Sequence, residues 1–163
     1  MVVVLMGVTG SGKTTVGERL ATELGWTFAD ADDFHPAANK AKMHAGIPLT
    51  DDDRWPWLQA LRRVIEEALE SHRGAVIACS ALKAAYRDVL AGGLEDVHFV
   101  LLHGAPEVLQ ARLAHRRHEF MNPALLQSQI ETLEPPPDAI TIDIELPVDE
   151  QVRRTRAALG LLT

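Results

Sequence analysis

A glycine-rich run near the start of the chain has the spacing of a phosphate-binding loop. Residues 7–14 read GVTGSGKT and fit G-x-x-x-x-G-K-[ST] at every fixed position. The glycines let the backbone curl so that successive amides face phosphate oxygens, and a helix beginning near Lys13 adds the positive end of its dipole. We expect Lys13 to bridge the β- and γ-phosphates and the Thr14 hydroxyl to bind Mg²⁺. The predicted phosphate-binding residues of the loop are Gly7, Thr9, Gly10, Ser11, Gly12, Lys13, Thr14 and Thr15.

This loop has two other interpretations. One is a glycine-rich strand-to-helix turn that contains a lysine by chance, and the other is a dinucleotide-binding turn. The G-x-G-x-x-G spacing of the dinucleotide fold is absent. The motif also follows a predicted strand and opens a predicted helix, which favours the phosphate-binding interpretation.

Carboxylates are concentrated in a second segment, residues 30–36, which reads DADDFHP. They follow a predicted strand, and open parallel sheets bind ligands at the carboxyl ends of their strands. A carboxylate there can accept the proton of an attacking alcohol or supply oxygen near Mg²⁺. Asp32 is the catalytic candidate, and Thr14, Asp30 and Asp32 are the candidate metal ligands. The alternative is that some of these aspartates only stabilise a turn or cap a helix.

Short apolar runs alternate with amphipathic stretches along the chain, which predicts an α/β fold with a parallel sheet and helices on both faces. The predicted strands are 2–6, 26–29, 75–79, 97–102 and 140–144. The predicted helices are 14–24, 39–44, 55–71, 82–90, 106–116, 123–134 and 149–159. Most of residues 30–54 fits no regular element, and we expect Trp55 and Trp57 to anchor the start of the third helix in the core.

Composition excludes several classes of protein. The 163 residues are 47% apolar and 24% charged, which suits one globular domain. A net charge of −7 argues against nucleic-acid binding, and no segment reaches the ~20 apolar residues of a membrane span. The single cysteine, Cys79, cannot form an internal disulfide, so we expect a cytoplasmic protein.

Residues 30–58 resemble the hallmark of the gluconate kinase family, which is close to D-x-D-x-x-H-P-x-x-N-x-x-K-M-x-x-G-x-P-L-x-D-x-D-R-x-P-W-L. The matching positions are Asp30, Asp32, His35, Pro36, Asn39, Lys42, Met43, Gly46, Pro48, Leu49, Asp51, Asp53, Arg54, Pro56, Trp57 and Leu58. Residues 79–88 (CSALKAAYRD) and 120–134 resemble two further blocks of the family. The resemblance therefore covers nearly the whole chain.

The resemblance implies a three-layer α/β/α P-loop kinase with a five-stranded parallel sheet and a small helical lid. It implies a single domain over residues 1–163, with an acceptor-binding segment at about 30–58 and a lid at about 112–123. The implied reaction transfers the γ-phosphoryl group of ATP, with Mg²⁺, to the 6-hydroxyl of D-gluconate. The family also suggests a homodimer.

A sugar acid offers one carboxylate and a row of hydroxyls, so its pocket needs a fixed cation and polar partners. The residues that the resemblance assigns to the acceptor are Asp32, His35, Arg54, Lys83 and Arg87. Arg54 is the first choice for the cation, although it could instead pair with Asp51 or Asp53. His35 could simply cap a helix.

By resemblance, Arg112 lies near adenine, and Arg116 or Arg117 reaches the phosphates when the lid closes. We expect the adenine pocket to use the loop at 146–148. The alternative for these arginines is a solvated helix end that suits the helix dipole. The chain departs from the family's R-x-G-H-F-M by carrying His118 and Glu119 in place of Gly-His, which puts lid mobility in question.

A second departure concerns the metal. The third predicted strand ends without the aspartate that commonly holds Mg²⁺ in P-loop enzymes, which gives the acidic loop more weight. Two alternative functions are another small acid or sugar kinase, such as a shikimate kinase, and a protein that binds ATP without transferring phosphate. The chain lacks a run of glycines after the third strand, and it keeps Asp32, Arg54 and Lys83 beside a complete phosphate loop.

Overall fold

The computed structural model describes residues 1–115 and 123–162, and within them five parallel strands form one sheet in the order β2-β3-β1-β4-β5. The strands are β1 (Val2–Met6), β2 (Thr27–Asp30), β3 (Ala75–Ala78), β4 (Val97–His103) and β5 (Ile140–Asp143). The α-helices are α1 (Lys13–Leu24), α2 (Ala37–His44), α3 (Asp51–Glu70), α4 (Ala84–Ala91), α5 (Pro106–His115), α6 (Pro123–Thr132) and α7 (Val148–Ala158). The predicted α/β fold with a five-stranded parallel sheet is confirmed.

Strand β1 lies at the centre of the sheet because it is apolar on both faces. All five of its side chains are fully buried, and it pairs with β3 on one side and β4 on the other. A strand that is covered on both faces reads as a continuous hydrophobic run. The glycine-rich loop therefore leaves from the middle of the sheet's carboxyl edge.

Helix α3 begins at Asp51, so the predicted start at residue 55 is wrong. Thr50 and Asp53 form a capping box: Asp53 N–H donates to Thr50 Oγ1 at 3.1 Å, and Thr50 N–H donates to Asp53 Oδ2 at 2.9 Å. These bonds satisfy backbone amides at the start of the helix. Because the segment is polar and reads as a loop, its composition concealed this start. Pro56 consequently lies inside the helix.

The other helix and strand boundaries agree with the prediction to within two residues, and residue 116 of the predicted fifth helix lies outside the described residues. One short element was not predicted, a 3₁₀ turn at Ala31–Phe34. None of the helices in the described ranges is long and apolar enough to cross a bilayer.

Candidate active site

A cleft of about 500 Å³ opens at the carboxyl edge of β1, β2 and β3. Its walls come from the glycine-rich loop, the segment after β2, the first turn of α3, and the facing helices α5 and α6. The predicted site residues that line it are Thr9, Gly10, Gly12, Lys13, Thr14, Thr15, Asp30, Asp32, His35 and Arg54. Gly7, Ser11, Lys83, Arg87 and Arg112 do not line it, and Arg116 and Arg117 lie outside the described residues.

The glycine-rich loop has the curled backbone that its sequence predicts. Gly12, which caps α1, has φ 93°, a left-handed conformation that favours glycine. A Cβ at Gly7 would lie 2.8 Å from the carbonyl oxygen of Leu102, so that position has no room for a side chain. Lys13 Nζ crosses the loop and donates to the carbonyls of Gly7 and Val8 at 2.9 and 3.0 Å. These two bonds hold the lysine against the loop backbone.

Asp30 brings a carboxylate beside the hydroxyl of Thr14. Asp30 ends β2 and is paired in register with Ala78, the last residue of β3. The Asp30 carboxylate thus lies on the strand next to β3, whose own carboxyl end lacks an aspartate. Thr14 Oγ1 donates to Asp30 Oδ2 at 3.2 Å, and Asp30 Oδ1 accepts the Asp32 N–H at 3.0 Å. Asp30 therefore also caps the 3₁₀ turn, as the alternative interpretation of the aspartates expected.

Thr14 and Asp30 both offer oxygen atoms, which are the ligands that Mg²⁺ prefers in proteins. These two residues could hold such an ion, with water and phosphate oxygens as its remaining ligands.

Asp32 lies in the cleft, close enough to Lys13 to feel its positive charge. The aspartate keeps contact with water across the open cleft, yet the surrounding protein desolvates its carboxyl group. This desolvation raises the pKa of Asp32 above its usual value, and the positive charge of Lys13 opposes the rise. A carboxylate with a raised pKa is a better proton acceptor than an ordinary aspartate.

His35 is buried against an aromatic platform. Its ring stacks on Trp57 with centroids 4.0 Å apart and planes 14° apart. Trp57 is 2% exposed and donates its Nε1–H to the carbonyl of Ala31 at 2.7 Å, which holds the 3₁₀ turn against α3. The expected core role of Trp57 is confirmed.

The hydrogen bonds of Asn39 fix the protonation of His35. Asn39 Nδ2 lies 2.8 Å from the carbonyl of Asp53, which can only accept, and 3.1 Å from His35 Nδ1. Nδ1 must therefore accept as well, so a neutral His35 carries its proton on Nε2. Desolvation and the charges of Arg54 and Lys40 lower the pKa of His35 to about 4, which keeps the ring neutral at pH 7.

Arg54 reaches the cleft from the first turn of α3. Its Nη1 donates to the Tyr86 hydroxyl at 2.8 Å and lies 4.0 Å from Asp51 Oδ1. Lys83 Nζ lies 3.1 Å from the same carboxylate, which also accepts the Tyr86 hydroxyl proton. Lys83 therefore pairs with Asp51 and does not line the cleft. Arg54 pairs with the same carboxylate and does line the cleft.

The structure does not bring Arg87 to the cleft. Its side chain is buried, Nη1 donates to the carbonyl of Ala81 at 2.7 Å, and Nη2 donates to the carbonyl of Glu134 at 2.7 Å. These bonds join the β3–α4 connection to the segment after α6. A contact with the acceptor would require them to break.

Arg112 joins the phosphate loop to the loop before α7. Its Nη2 donates to the carbonyl of Ile144 at 2.6 Å, and its Nη1 is 3.4 Å from the carbonyl of Gly10. Gln151 fastens the same loop by donating to the carbonyls of Ile144 and Leu146 at 3.2 and 2.8 Å. The predicted adenine region is therefore adjacent to Arg112.

Three polar residues lie in the matching motifs, but sequence reasoning gave them no role. Asn39 is four residues after His35, a helical spacing that could have indicated their contact. Tyr86 meets Asp51 across 35 positions, and Gln129 meets the phosphate loop across 120, so no local signal indicated these two contacts.

Comparisons with known proteins show what this chain is similar to. Residues 9–135 match the model of the shikimate kinase family. A probable gluconokinase of Xenopus tropicalis is 49% identical over 165 residues, which cover 89% of this chain and 86% of the relative.

Two solved structures are similar over almost the full chain. A sugar kinase from Janibacter sp. HTCC2649 has a TM-score of 0.91 and 45% identity, covering 98% of this chain and 94% of that one. A gluconokinase from Sinorhizobium meliloti 1021 has a TM-score of 0.83 and 47% identity, covering 97% and 90%. The chain belongs to the gluconokinase family, within the shikimate kinase-like group of P-loop proteins.

Proposed function

We propose that the chain transfers the γ-phosphoryl group of ATP to the 6-hydroxyl of D-gluconate. One observation carries the proposal: a single cleft is lined by the glycine-rich loop, by a desolvated carboxylate, Asp32, and by a cation, Arg54. The first group suits a nucleoside triphosphate, and the other two suit an acceptor with a hydroxyl and a carboxylate. The relatives named as gluconokinases support the same acceptor.

Each of these residues has a separate role in the proposed reaction. Asp32 accepts the proton of the attacking hydroxyl, and Lys13 moves from its loop carbonyls to the phosphates. Arg54 binds the acceptor carboxylate, and the Nε2–H of neutral His35 donates to an acceptor hydroxyl. Arg112 orders the adenine side, and Arg116 or Arg117 stabilises the charge on the phosphates as the lid of about residues 112–123 closes.

The proposal includes Mg²⁺ held by Thr14 and Asp30, with Asp32 nearby. A bound ion supplies charge neutralisation for the β- and γ-phosphates. The chain's own contribution is the pairing of the Thr14 hydroxyl with the Asp30 carboxylate at the carboxyl end of β2.

The test is a coupled ADP-release assay with Mg-ATP and a panel of acceptors. The panel contains D-gluconate, related sugar acids, glucose, shikimate and no acceptor. Turnover selective for gluconate supports the proposal. Nucleotide binding with no acceptor-dependent turnover contradicts it and favours a nucleotide-binding sensor.

A shikimate kinase activity is the second candidate because the family model that matches residues 9–135 is that of shikimate kinase. The relatives at 41–49% identity favour gluconate. Turnover with shikimate but not with gluconate would reverse this ranking.

The proposal places the single domain in the cytoplasm, since Cys79 is a free, buried thiol that suits a reducing compartment. The homodimer implied by the family stays a prediction. Light scattering on the purified chain measures its mass directly, and a monomer would contradict it.

A further inference from the structure

The amide of Thr9, in the phosphate loop, is held by a side chain from the opposite wall of the cleft. Thr9 N–H donates to Gln129 Oε1 at 2.7 Å. Thr9 is buried, and half-buried Gln129 lines the cleft from α6. Because a buried amide without a partner is destabilising, Gln129 fixes the position of this part of the loop.

Helix α6 is fastened at its C-terminal end, only five residues beyond Gln129. The N–H of Glu134 donates to the carbonyl of Leu82 at 2.7 Å, and its Oε1 accepts the N–H of Ala84 at 2.9 Å. Arg87 adds the third bond, to the carbonyl of Glu134. The helix is therefore anchored at its C-terminal end, and Gln129 links it to the phosphate loop.

The same helix also faces the acceptor side. Leu125, Ser128 and Gln129 line the cleft together with Asp32 and Arg54. A carboxamide offers one acceptor oxygen and two N–H donors. The oxygen of Gln129 is engaged, while its Nε2 makes no hydrogen bond within residues 1–115 and 123–162. Those N–H groups can serve a ligand hydroxyl.

Resting on the proposed function, we propose that Gln129 is a positioning residue that couples the acceptor to the phosphate loop. Its Oε1 fixes the Thr9 amide while its Nε2 donates to a hydroxyl of the polyol acceptor. Each ligand then tightens the binding of the other, since thermodynamic coupling is reciprocal.

Two variants of Gln129 and one control variant separate the contact with Thr9 from the contact with the acceptor. Gln129→Met keeps the length of the side chain and removes both hydrogen bonds. Gln129→Glu keeps an oxygen for the Thr9 amide and removes the N–H donors. Gln127→Met is the matched control, because Gln127 is exposed on the same helix and its side chain bonds to Glu131 at 3.0 Å.

The first measurement is hydrogen exchange of the Thr9 amide by NMR in the ligand-free chain. We expect protection in the wild type, in Gln129→Glu and in the Gln127→Met control, and loss of protection in Gln129→Met. Equal protection in Gln129→Met and the wild type would overturn the proposal. This comparison needs no acceptor, so it stands apart from the proposed function.

The second measurement is calorimetric binding of Mg²⁺ with β,γ-imido-ATP, with and without saturating D-gluconate. We expect gluconate to tighten nucleotide binding on the order of fivefold in the wild type and in the control. In both Gln129 variants this ratio should fall to about one. A wild-type ratio that persists in Gln129→Met, or a wild type without coupling, refutes the coupling. Failure of the proposed function is seen separately, as a wild type that releases no ADP with gluconate.

Discussion

Acidification should destabilise the fold through His35. The imidazole is 7% exposed, stacks on Trp57 and accepts a hydrogen bond from Asn39. Its pKa is about 4 in the folded chain, against 6.5 for an ordinary histidine. Because the folded state resists protonation, the contribution of His35 to stability is complete above about pH 6.5 and is lost as the pH falls towards 4.

The size of this effect follows from the two pKa values. At about pH 5 the unfolded histidine is almost fully protonated and the folded one is not, which lowers the free energy of unfolding by about 2 kcal/mol. At about pH 7.5 the His35 ring is neutral in both the folded and the unfolded state, so its contribution to the pH dependence is close to zero.

Urea denaturation at these two pH values measures the effect. His35→Phe keeps a ring on Trp57 but cannot titrate, so it removes the His35 contribution while the carboxylates continue to titrate. His103→Gln is the control because His103 is exposed. On acidification, we expect the free energy of unfolding of the wild type and of the control to fall by about 2 kcal/mol more than that of His35→Phe. An equal loss in all three proteins would show that His35 does not carry this pH dependence.

Three further substitutions test the assignments in the cleft. Asp32→Asn should lower kcat at least about 100-fold with nucleotide binding retained in calorimetry; near-normal turnover would refute its role as the base. Arg54→Met should raise KM for gluconate at least about tenfold and leave KM for ATP unchanged, whereas the exposed Arg63→Met on the same helix should change neither. Arg87→Met should lower the free energy of unfolding by about 2–4 kcal/mol in urea titrations with little change in KM for gluconate. A raised KM with unchanged stability would instead assign Arg87 to the acceptor.

The parts of the fold that were predicted depend on local sequence. The phosphate loop and β1 are set by short-range spacing and by an unbroken apolar run, and both match the structure. The start of α3 was missed because its capping box lies in a polar segment that reads as a loop. The polar residues of that segment are equally typical of a helix cap and of an irregular loop, so their types alone did not locate the helix start.

The site was harder to predict because residue type does not specify a partner. Arg54 and Arg87 are both arginines of the matching motifs, yet one lines the cleft and the other is bonded to backbone carbonyls. The difference depends on how the β3–α4 connection packs against the end of α6. The Gln129 contact with Thr9 joins segments 120 residues apart, and only the folded chain brings them together.

Transfer of phosphate to the terminal hydroxyl of D-gluconate is best measured on the product itself. The chain would be incubated with Mg-ATP and D-gluconate and the mixture analysed by proton-coupled ³¹P NMR. We predict one new phosphomonoester coupled to the C6 methylene protons, formed in step with ADP. No new ester, or an ester on another carbon of the acceptor, would contradict the account.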